Sequence, residues 1–326
     1  MTAYIIRRVG YAVPIILGVL FVLFLLFFLY ADAETMARKA LGEKASPAVM
    51  KNWIHLRGYD RPKFLNTHHS PKSAKFWTDT ILFDHFASML TFNFGNSDID
   101  NEPILNRVKR GAWPSLTVTV PIFVLGTFVT ISIALFVAFF RGTYIDHAGL
   151  LVSVLAMSVV IFVYIMVGQY LLSTLWRWFP ISGYDRGSPW RFVALPLVIG
   201  VVTCLGGDVR FYRTIMIEEI NRDYVRTARA KGVGELRVMF KHVLKNGMLP
   251  ILTSLVMEIP FLFMGSLLLE NFFGIPGLGA MTYDAIQLND FATLRVMVFI
   301  GALVFVVGQI LTDISYCLFD PRVRLS

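Results

Sequence analysis

The chain has 326 residues, of which 56% are hydrophobic and 16% charged, and its mean hydropathy is +0.63. This composition excludes an ordinary soluble globular protein, because the apolar residues form blocks close to the length of about 20 residues that crosses a bilayer. The net charge of +8 would suit nucleic acid. Membrane proteins, however, collect basic residues on their cytoplasmic side, so we expect no nucleic-acid partner.

Residues 1–30 predict a first transmembrane helix, spanning 9–30, with a cytoplasmic N-terminus. The pair Arg7-Arg8 gives this stretch a likeness to a secretory signal. The apolar run is too long for a signal sequence, however, and no small-residue cleavage site follows it. We therefore expect the helix to be retained.

Residues 31–112 are the only sizeable region outside the predicted spans, and we expect this segment to be extracytoplasmic. It contains the helix-compatible run ETMARKALGEKA and the polar stretch LNTHHSPKSAK, which includes His68 and His69. Adjacent histidines in a loop flanked by Pro and Ser are typical of solvated loop residues. We therefore expect no metal site here.

Residues 113–326 predict a core of five further membrane helices. The predicted spans are 116–140, 150–175, 192–206, 249–269 and 294–318. The fourth is short, and its end near Gly206 is ambiguous. Cys204 and Cys317 fall inside apolar runs, so we interpret them as buried small hydrophobic residues rather than as a disulfide or metal pair. The predicted fold class is all-α: a polytopic membrane protein with six transmembrane helices and an extracytoplasmic insertion after the first.

The distribution of Lys and Arg predicts that both termini are cytoplasmic. Basic residues precede the first span, follow the second and the sixth, and crowd the loop 210–248. They are Arg7, Arg8, Arg141, Arg210, Arg213, Arg222, Arg226, Arg229, Lys231, Arg237, Lys241, Lys245, Arg322 and Arg324. The opposite loop 271–291 has no Lys or Arg, whereas the three arginines of 176–191 run against the pattern.

The stretch DYVRTARAKGVGELRVMFKHVLKNGMLP, residues 223–250, predicts two short helices joined by a glycine turn. Apolar residues recur at helical spacing on both sides of Gly232 and Gly234. One interpretation is an amphipathic helix on anionic lipid, and another is ordinary basic cytoplasmic sequence. The small residues Thr227 and Ala228 favour a third, a helix that docks into a groove of another protein.

This stretch resembles the "EAA" loop of ATP-binding-cassette importer permeases. The matching residues are Arg226, Thr227, Ala228, Gly232 and Pro250, with Arg226 in place of the usual Glu. Other ordered segments resemble the B-type permease of the di- and oligopeptide branch. They are AYIIRR, YDRP, FNFGNS, FPISGYD, ENFFGIPGLGAMTYDAI and YCLFDPRVR.

The resemblance implies a type I importer permease in a bacterial inner membrane. Its expected partners are a homologous second permease, two ATPase subunits, an extracytoplasmic solute-binding protein and membrane lipid. The chain has no phosphate-loop sequence, so we expect it to be a non-catalytic subunit that binds no cofactor, with ATP and Mg held by the ATPases. The coupling loop, at about 211–248, would dock an ATPase. The residues expected to act there are Tyr224, Arg226, Thr227, Ala228, Arg229, Lys231, Gly232 and Gly234.

Gly232 is expected to adopt a positive φ after the docking helix. Arg226, Arg229 and Lys231 suit acidic groups of an ATPase and lipid phosphates equally well. Glu258 lies within a predicted span, where a charge is costly. It is interpreted either as a translocation-pathway residue that attracts a peptide's amino terminus or as an interhelical hydrogen-bonding group.

Asp313 in the sixth span is expected to pair with Arg322 or with another subunit. Glu270, Pro276 and Gly277 match the family pattern and are expected to shape an outer loop or gate, with a plain turn as the alternative.

Other cargoes for the same machine are nickel chelates, glutathione or a peptide antibiotic. An autonomous channel or secondary transporter would show inverted repeats and several mid-span charges. A membrane-embedded enzyme would show clustered His, Asp or Glu at one depth.

Overall fold

A computed structural model describes residues 2–30, 32–42, 44–66 and 74–319, and in this part of the chain regular structure is entirely helical. The helices are α1 (Thr2–Phe24), α2 (Ala33–Leu41), α3 (Pro47–Leu56), α4 (Ala74–Thr78), α5 (Ile81–Leu90), α6 (Ile104–Phe139), α7 (Tyr144–Ser158), α8 (Ile161–Gly168), α9 (Pro189–Ile220), α10 (Asp223–Ala230), α11 (Glu235–Val238), α12 (Lys245–Met264), α13 (Leu267–Phe273), α14 (Leu278–Gln287) and α15 (Phe291–Phe319). Helices α1, α8 and α11 continue into π-helical turns at Leu25–Tyr30, Gln169–Leu175 and Met239–Leu244.

Five of these helical stretches are long and apolar enough to cross a membrane, and a bent pair of helices brings the number to six. The stretches are Arg7–Leu29, Ile104–Phe139, Pro189–Ile220, Glu235–Met264 and Phe291–Asp313. Their composition confirms the prediction of an all-α polytopic membrane protein. Three of them, Ile104–Phe139, Pro189–Ile220 and Glu235–Met264, are longer than the predicted spans because the helices continue past the apolar runs into polar sequence.

The third span differs most from its prediction. Instead of one helix over 150–175, the chain forms Tyr144–Ser158 and Ile161–Leu175, which meet at an angle of 92°. The Ser158 hydroxyl donates to the Val154 carbonyl at 2.8 Å, a back-bond that favours bending. Across the bend, the Tyr164 hydroxyl donates to the Ala156 carbonyl at 2.8 Å. A side chain thus satisfies a carbonyl at the break, as a break within the membrane requires.

The fourth span is also corrected, because its helix runs to Ile220 rather than ending near Gly206. Gly206 is needed for packing: a Cβ there would lie 2.7 Å from the backbone nitrogen of Met157 in the bent pair. A glycine chosen for close approach does not end a helix whose flanking residues favour it. The first ten residues of the predicted coupling loop at 211–248 therefore belong to α9.

The chain divides into two compact units. The first consists of Met1–Trp113 with Gly277–Ile310, and the second of Pro114–Pro276 with Leu311–Ser326. In the first unit, residues from the predicted extracytoplasmic segment pack onto the end of the first span. Phe24, Phe28, Met36 and Ile81 form this buried cluster.

A polar network closes the first unit at the start of α15. The carboxylate of Asp290 accepts from the Ser97 hydroxyl at 2.6 Å and from the Asp98 backbone N–H at 3.1 Å. Asp98 in turn accepts from the Ala292 backbone N–H at 2.9 Å. Side-chain oxygens thereby satisfy N–H groups at the N-terminal end of α15. The network fixes the turn after α5 to the last span.

The second unit has two hydrophobic cores. One joins α6, α9 and α12 to the short helices α10 and α11, and includes Tyr212, Met216, Val225 and Val238. The other lies among α6, α8, α9 and α13, and includes Val118, Ile165, Ile199, Leu269 and Phe273. The cytoplasmic loop predicted from sequence is therefore packed onto the spans and does not hang free.

Candidate coupling loop and transport residues

The predicted helix, glycine turn and helix are confirmed, and the turn is a Schellman motif. Gly232 has φ +75°, as expected, and ends α10. Its N–H donates to the Arg229 carbonyl at 2.9 Å, and the Val233 N–H donates to the Ala228 carbonyl at 3.2 Å. Gly234 has φ −58° and sits at the N-cap of α11, so its backbone is open to any residue. Only Gly232 therefore needs to be glycine.

One face of α10 packs inside the chain. Val225 is fully buried and Ala228 is 6% exposed, both in the core formed with α9 and the π-helical turn after α11. Ala228 is thus small because it meets this chain's own helices. The sequence interpretation, which placed it in another protein's groove, is corrected.

The opposite face of α10 is exposed and basic. Tyr224, Arg226, Thr227 and Lys231 all lie on it. Arg226 makes one loose ion pair, 3.7 Å from Asp223, in which both side chains are largely in solvent. The Thr227 hydroxyl donates a hydrogen bond to the Asp223 carbonyl, one turn back in the same helix, at 2.9 Å. The hydroxyls of this face are used within the chain, and the groups it presents to solvent are the cationic ends of Arg226 and Lys231.

Two side-chain contacts stabilise the glycine turn between α10 and α11, which we call the coupling corner. The Arg229 guanidinium binds Glu235 across the glycine turn, with Nε 3.0 Å from Oε2, and this hydrogen bond raises the pKa of Arg229. The Tyr224 hydroxyl donates a short hydrogen bond to Glu219 at the end of α9. Burial, together with Glu219, raises the pKa of Tyr224 to about 12, so the phenol keeps its proton. Both contacts tie α10 to its neighbours.

The sequence reasoning missed a buried ion pair between α7 and α9. Asp146 at the start of α7 binds Arg213 of α9, with its Oδ1 2.7 Å from Nε and 2.6 Å from Nη2. Its Oδ2 accepts from the Gly142 N–H at 2.9 Å. Arg213 had been counted only as loop charge. The helical spacing of apolar residues up to Ile220 is the sequence signal that could have placed Arg213 on a packed helix.

Glu258 lies on α12 and is exposed on the surface of this chain. It interacts electrostatically with Asp208 of α9, which is half-buried. Tyr212, one turn beyond Asp208, is hydrogen-bonded to Ser254 and joins the two helices at this level. The sequence reasoning named Glu258 but missed Asp208, because the predicted fourth span stopped two residues before it.

The residues predicted to shape the outer loop differ in solvent exposure. Glu270 of α13 is completely buried, and its Oε1 accepts from the Ser266 N–H at 3.2 Å. It therefore shapes the turn at Gly265 and does not present a carboxylate to a partner. Pro276 is exposed, whereas Gly277 is buried as the N-cap of α14. The segment is also more regular than expected, because α13 and α14 flank a short turn at Gly274, which has φ +63°.

Metal ligands do not gather anywhere in the described part of the chain, where no group of three His, Cys, Asp or Glu could hold an ion. His68 and His69, together with the suggested Arg322 partner of Asp313, lie outside the described residues. Asp313 itself is 7% exposed.

Comparison with known proteins gives the family. Residues 130–325 match the family described as binding-protein-dependent transport system inner membrane component. A probable peptide ABC transporter permease protein, y4tP, of Sinorhizobium fredii is 32% identical over 252 residues, covering 75% of this chain and 80% of the relative. The glutathione transport system permease protein GsiC of Salmonella typhi is 26% identical over 324 residues, and its counterpart in Escherichia coli K12 is 25% identical over 326, each covering 99% of both chains. This chain therefore belongs to the family of inner-membrane components of binding-protein-dependent transport systems and is a permease subunit of an ABC importer.

Proposed function

We propose that this chain forms half of the translocation pathway for peptides and docks an ATPase through the exposed face of α10. The observation that carries the proposal is the construction of α10. Its inner face is buried in the core formed with α9 and α12, its outer face exposes Arg226 and Lys231, and a left-handed glycine fixes its end. A push on such a helix would move α9 and α12 with it.

The full transporter contains a homologous second permease, two ATPase subunits and an extracytoplasmic solute-binding protein. Both termini and α10 face the cytoplasm, and the segment 31–112 faces outward. The chain itself is non-catalytic: ATP and Mg bind to the ATPases, and their closure is transmitted through α10. The positive-inside distribution of basic residues and the family membership support this arrangement.

Glu258 and Asp208 would face the pathway next to the second permease. An exposed carboxylate on a membrane helix is costly in lipid and requires either water or a protein partner. Two carboxylates at one level would attract the cationic amino terminus of a peptide. Glu258→Gln should then weaken uptake of free-amine peptides and spare N-acetylated ones. Equal effects on both would leave Glu258 as an interhelical group.

Glutathione is the second candidate cargo, because relatives aligned over 99% of both chains are named for glutathione transport. The peptide transporter of Sinorhizobium fredii has the higher identity, 32% against 26%, over a shorter stretch. Competition between glutathione and a neutral tripeptide for uptake would separate the two.

The first experiment is a gentle-detergent pull-down of the tagged chain, followed by reconstitution of the recovered complex. We expect a second permease and two ATPase copies, together with ATP-dependent peptide uptake. Gly232→Val should keep the complex assembled but lower the amount of peptide moved per ATP hydrolysed. A chain that emerges alone and still transports without ATP would refute the proposal.

A further inference from the structure

The first unit contains a cavity of about 500 Å³ that none of the transport roles uses. It lies between the end of the first span, the turn after α3, helix α5, the turn after α5 and the start of α15. Phe28, Ile81, Met89 and Phe94 give it apolar walls, while Arg57, Arg61 and Arg295 bring three guanidinium groups to it. This volume lies within the range of pockets that hold small organic ligands, about 300–1,000 Å³.

Two of the three arginines already have carboxylate partners. Arg61 binds Asp84 at 2.5 Å and Asp79 at 3.6 Å. Arg57 lies 3.4 Å from Asp98 and also donates to two backbone carbonyls of the neighbouring turn. Their charges are therefore matched inside the chain.

Arg295 differs from the other two. Its residue is only 8% exposed, and within the described ranges no carboxylate lies within 4 Å of its guanidinium. Nη2 donates to the Tyr59 hydroxyl at 2.8 Å and Nε to the Phe291 carbonyl at 3.3 Å. The guanidinium also stacks on Phe28, 4.5 Å from the ring centroid. Asp98 attracts Arg295 from beyond 4 Å, and its closest arginine is Arg57, at 3.4 Å in an ion pair without a hydrogen bond.

The polar neighbour of Arg295 in the cavity wall adds no charge. His85 is 4% exposed, and burial lowers its pKa to about 4, so it is neutral near pH 7. Its Nε2 has no hydrogen-bond partner among the described residues. A buried cation whose direct contacts are all neutral is costly even with Asp98 at longer range, and an anion that reaches it through the cavity would offset that cost.

We infer that this cavity binds a small organic carboxylate whose carboxylate group pairs with Arg295 and whose apolar body lies against Phe28 and Phe94. A guanidinium donates two parallel hydrogen bonds to a carboxylate, which gives both strength and orientation. The aromatic walls favour a flat or apolar body over a simple inorganic anion. The ligand is either a free carboxylic acid or the C-terminal carboxylate of a peptide.

The test is isothermal titration calorimetry on the intact transporter complex in lipid nanodiscs. The probe is 3-phenylpropionate, and 3-phenylpropionamide is its uncharged twin. We expect saturable binding of the acid, at least tenfold tighter than that of the amide. Arg295→Gln should weaken acid binding at least tenfold. Arg61→Lys, which removes a second cavity guanidinium but keeps a cation beside Asp84, should change it less than threefold.

Ala87→Leu provides a second variant, because it fills the cavity and leaves Arg295 in place. If Arg295→Gln fails to assemble, loss of acid binding in Ala87→Leu supports the site and unchanged binding overturns it. Equal binding of acid and amide, or no saturable binding of the acid, also overturns it. N-acetyl-glycyl-phenylalanine then identifies the source: tighter binding than the probe points to a peptide terminus, and weaker binding to a free acid.

Discussion

Replacing Gly232 by alanine should loosen the coupling corner, whereas the same change at Gly234 should not. The two glycines are two residues apart on one turn, and an added Cβ would meet no atom within 4 Å at either position. They differ in the backbone, since φ is +75° at Gly232 and −58° at Gly234. The pair therefore separates backbone strain from crowding.

The expected magnitude comes from the left-handed conformation. An alanine forced into it costs about 1–2 kcal/mol. At Gly234, the weaker N-cap preference of alanine and the lower entropy of the unfolded chain, each about 0.5 kcal/mol, offset one another. Opening of the turn should therefore be favoured about 5–30-fold in Gly232→Ala and left nearly unchanged in Gly234→Ala.

Hydrogen exchange measured by mass spectrometry on the assembled complex tests this directly. Amides of residues 228–233 should exchange about 5–30-fold faster in Gly232→Ala, and within threefold of wild type in Gly234→Ala. Peptide moved per ATP should fall only in the first variant. Identical exchange in the two variants would refute the assignment of the corner to a left-handed glycine.

Three further outcomes follow from buried contacts. Asp146→Asn should lower the free energy of unfolding by about 3 kcal/mol in a thermal scan, because it leaves a buried arginine unpaired. In the control Asp223→Asn, whose side chain is 98% exposed, the free energy of unfolding should change little. In the folded state His85 has a pKa of about 4, against 6.5 ordinarily, so the unfolded chain takes up the proton first as the pH falls. The free energy of unfolding should therefore fall by about 2 kcal/mol between pH 7 and pH 5. His85→Leu should remove this pH dependence. Gly206→Ala should disrupt the bent pair, since its Cβ would lie 2.7 Å from backbone, and lower the yield of folded protein; Gly207→Ala, with nothing within 4 Å, serves as the control, and equal yields would contradict the packing argument.

Local sequence patterns predicted the apolar membrane helices and the glycine turn at Gly232, because both depend on neighbouring residues. The apolar runs marked the membrane helices, and Gly232 marked a chain reversal that only local backbone preferences decide. The same patterns misplaced the end of the fourth span. Gly206 is a helix breaker by propensity, but the close approach of a second helix makes it the required residue there.

The residues that sequence reasoning missed are those defined by distant partners. Asp146 and Arg213 are 67 positions apart, and no periodicity links them. Asp208 was missed because its helix had been ended too early. Ala228 shows the converse, since its small size was correctly noticed but the surface it meets belongs to this chain. Tertiary contacts decide such cases, and composition cannot.

The bond from Ser97 to Asp290 spans 193 positions and has a consequence for synthesis of the protein. The first unit is discontinuous, so its polar closure waits until residue 290 has been synthesised. Most of the second unit lies in one uninterrupted stretch that ends at Pro276 and can acquire its cores earlier. The segment before the second span must therefore remain without these hydrogen bonds while the second to fifth spans are inserted. A nascent chain halted before residue 290 would contain all of Pro114–Pro276 but a first unit that lacks its polar closure.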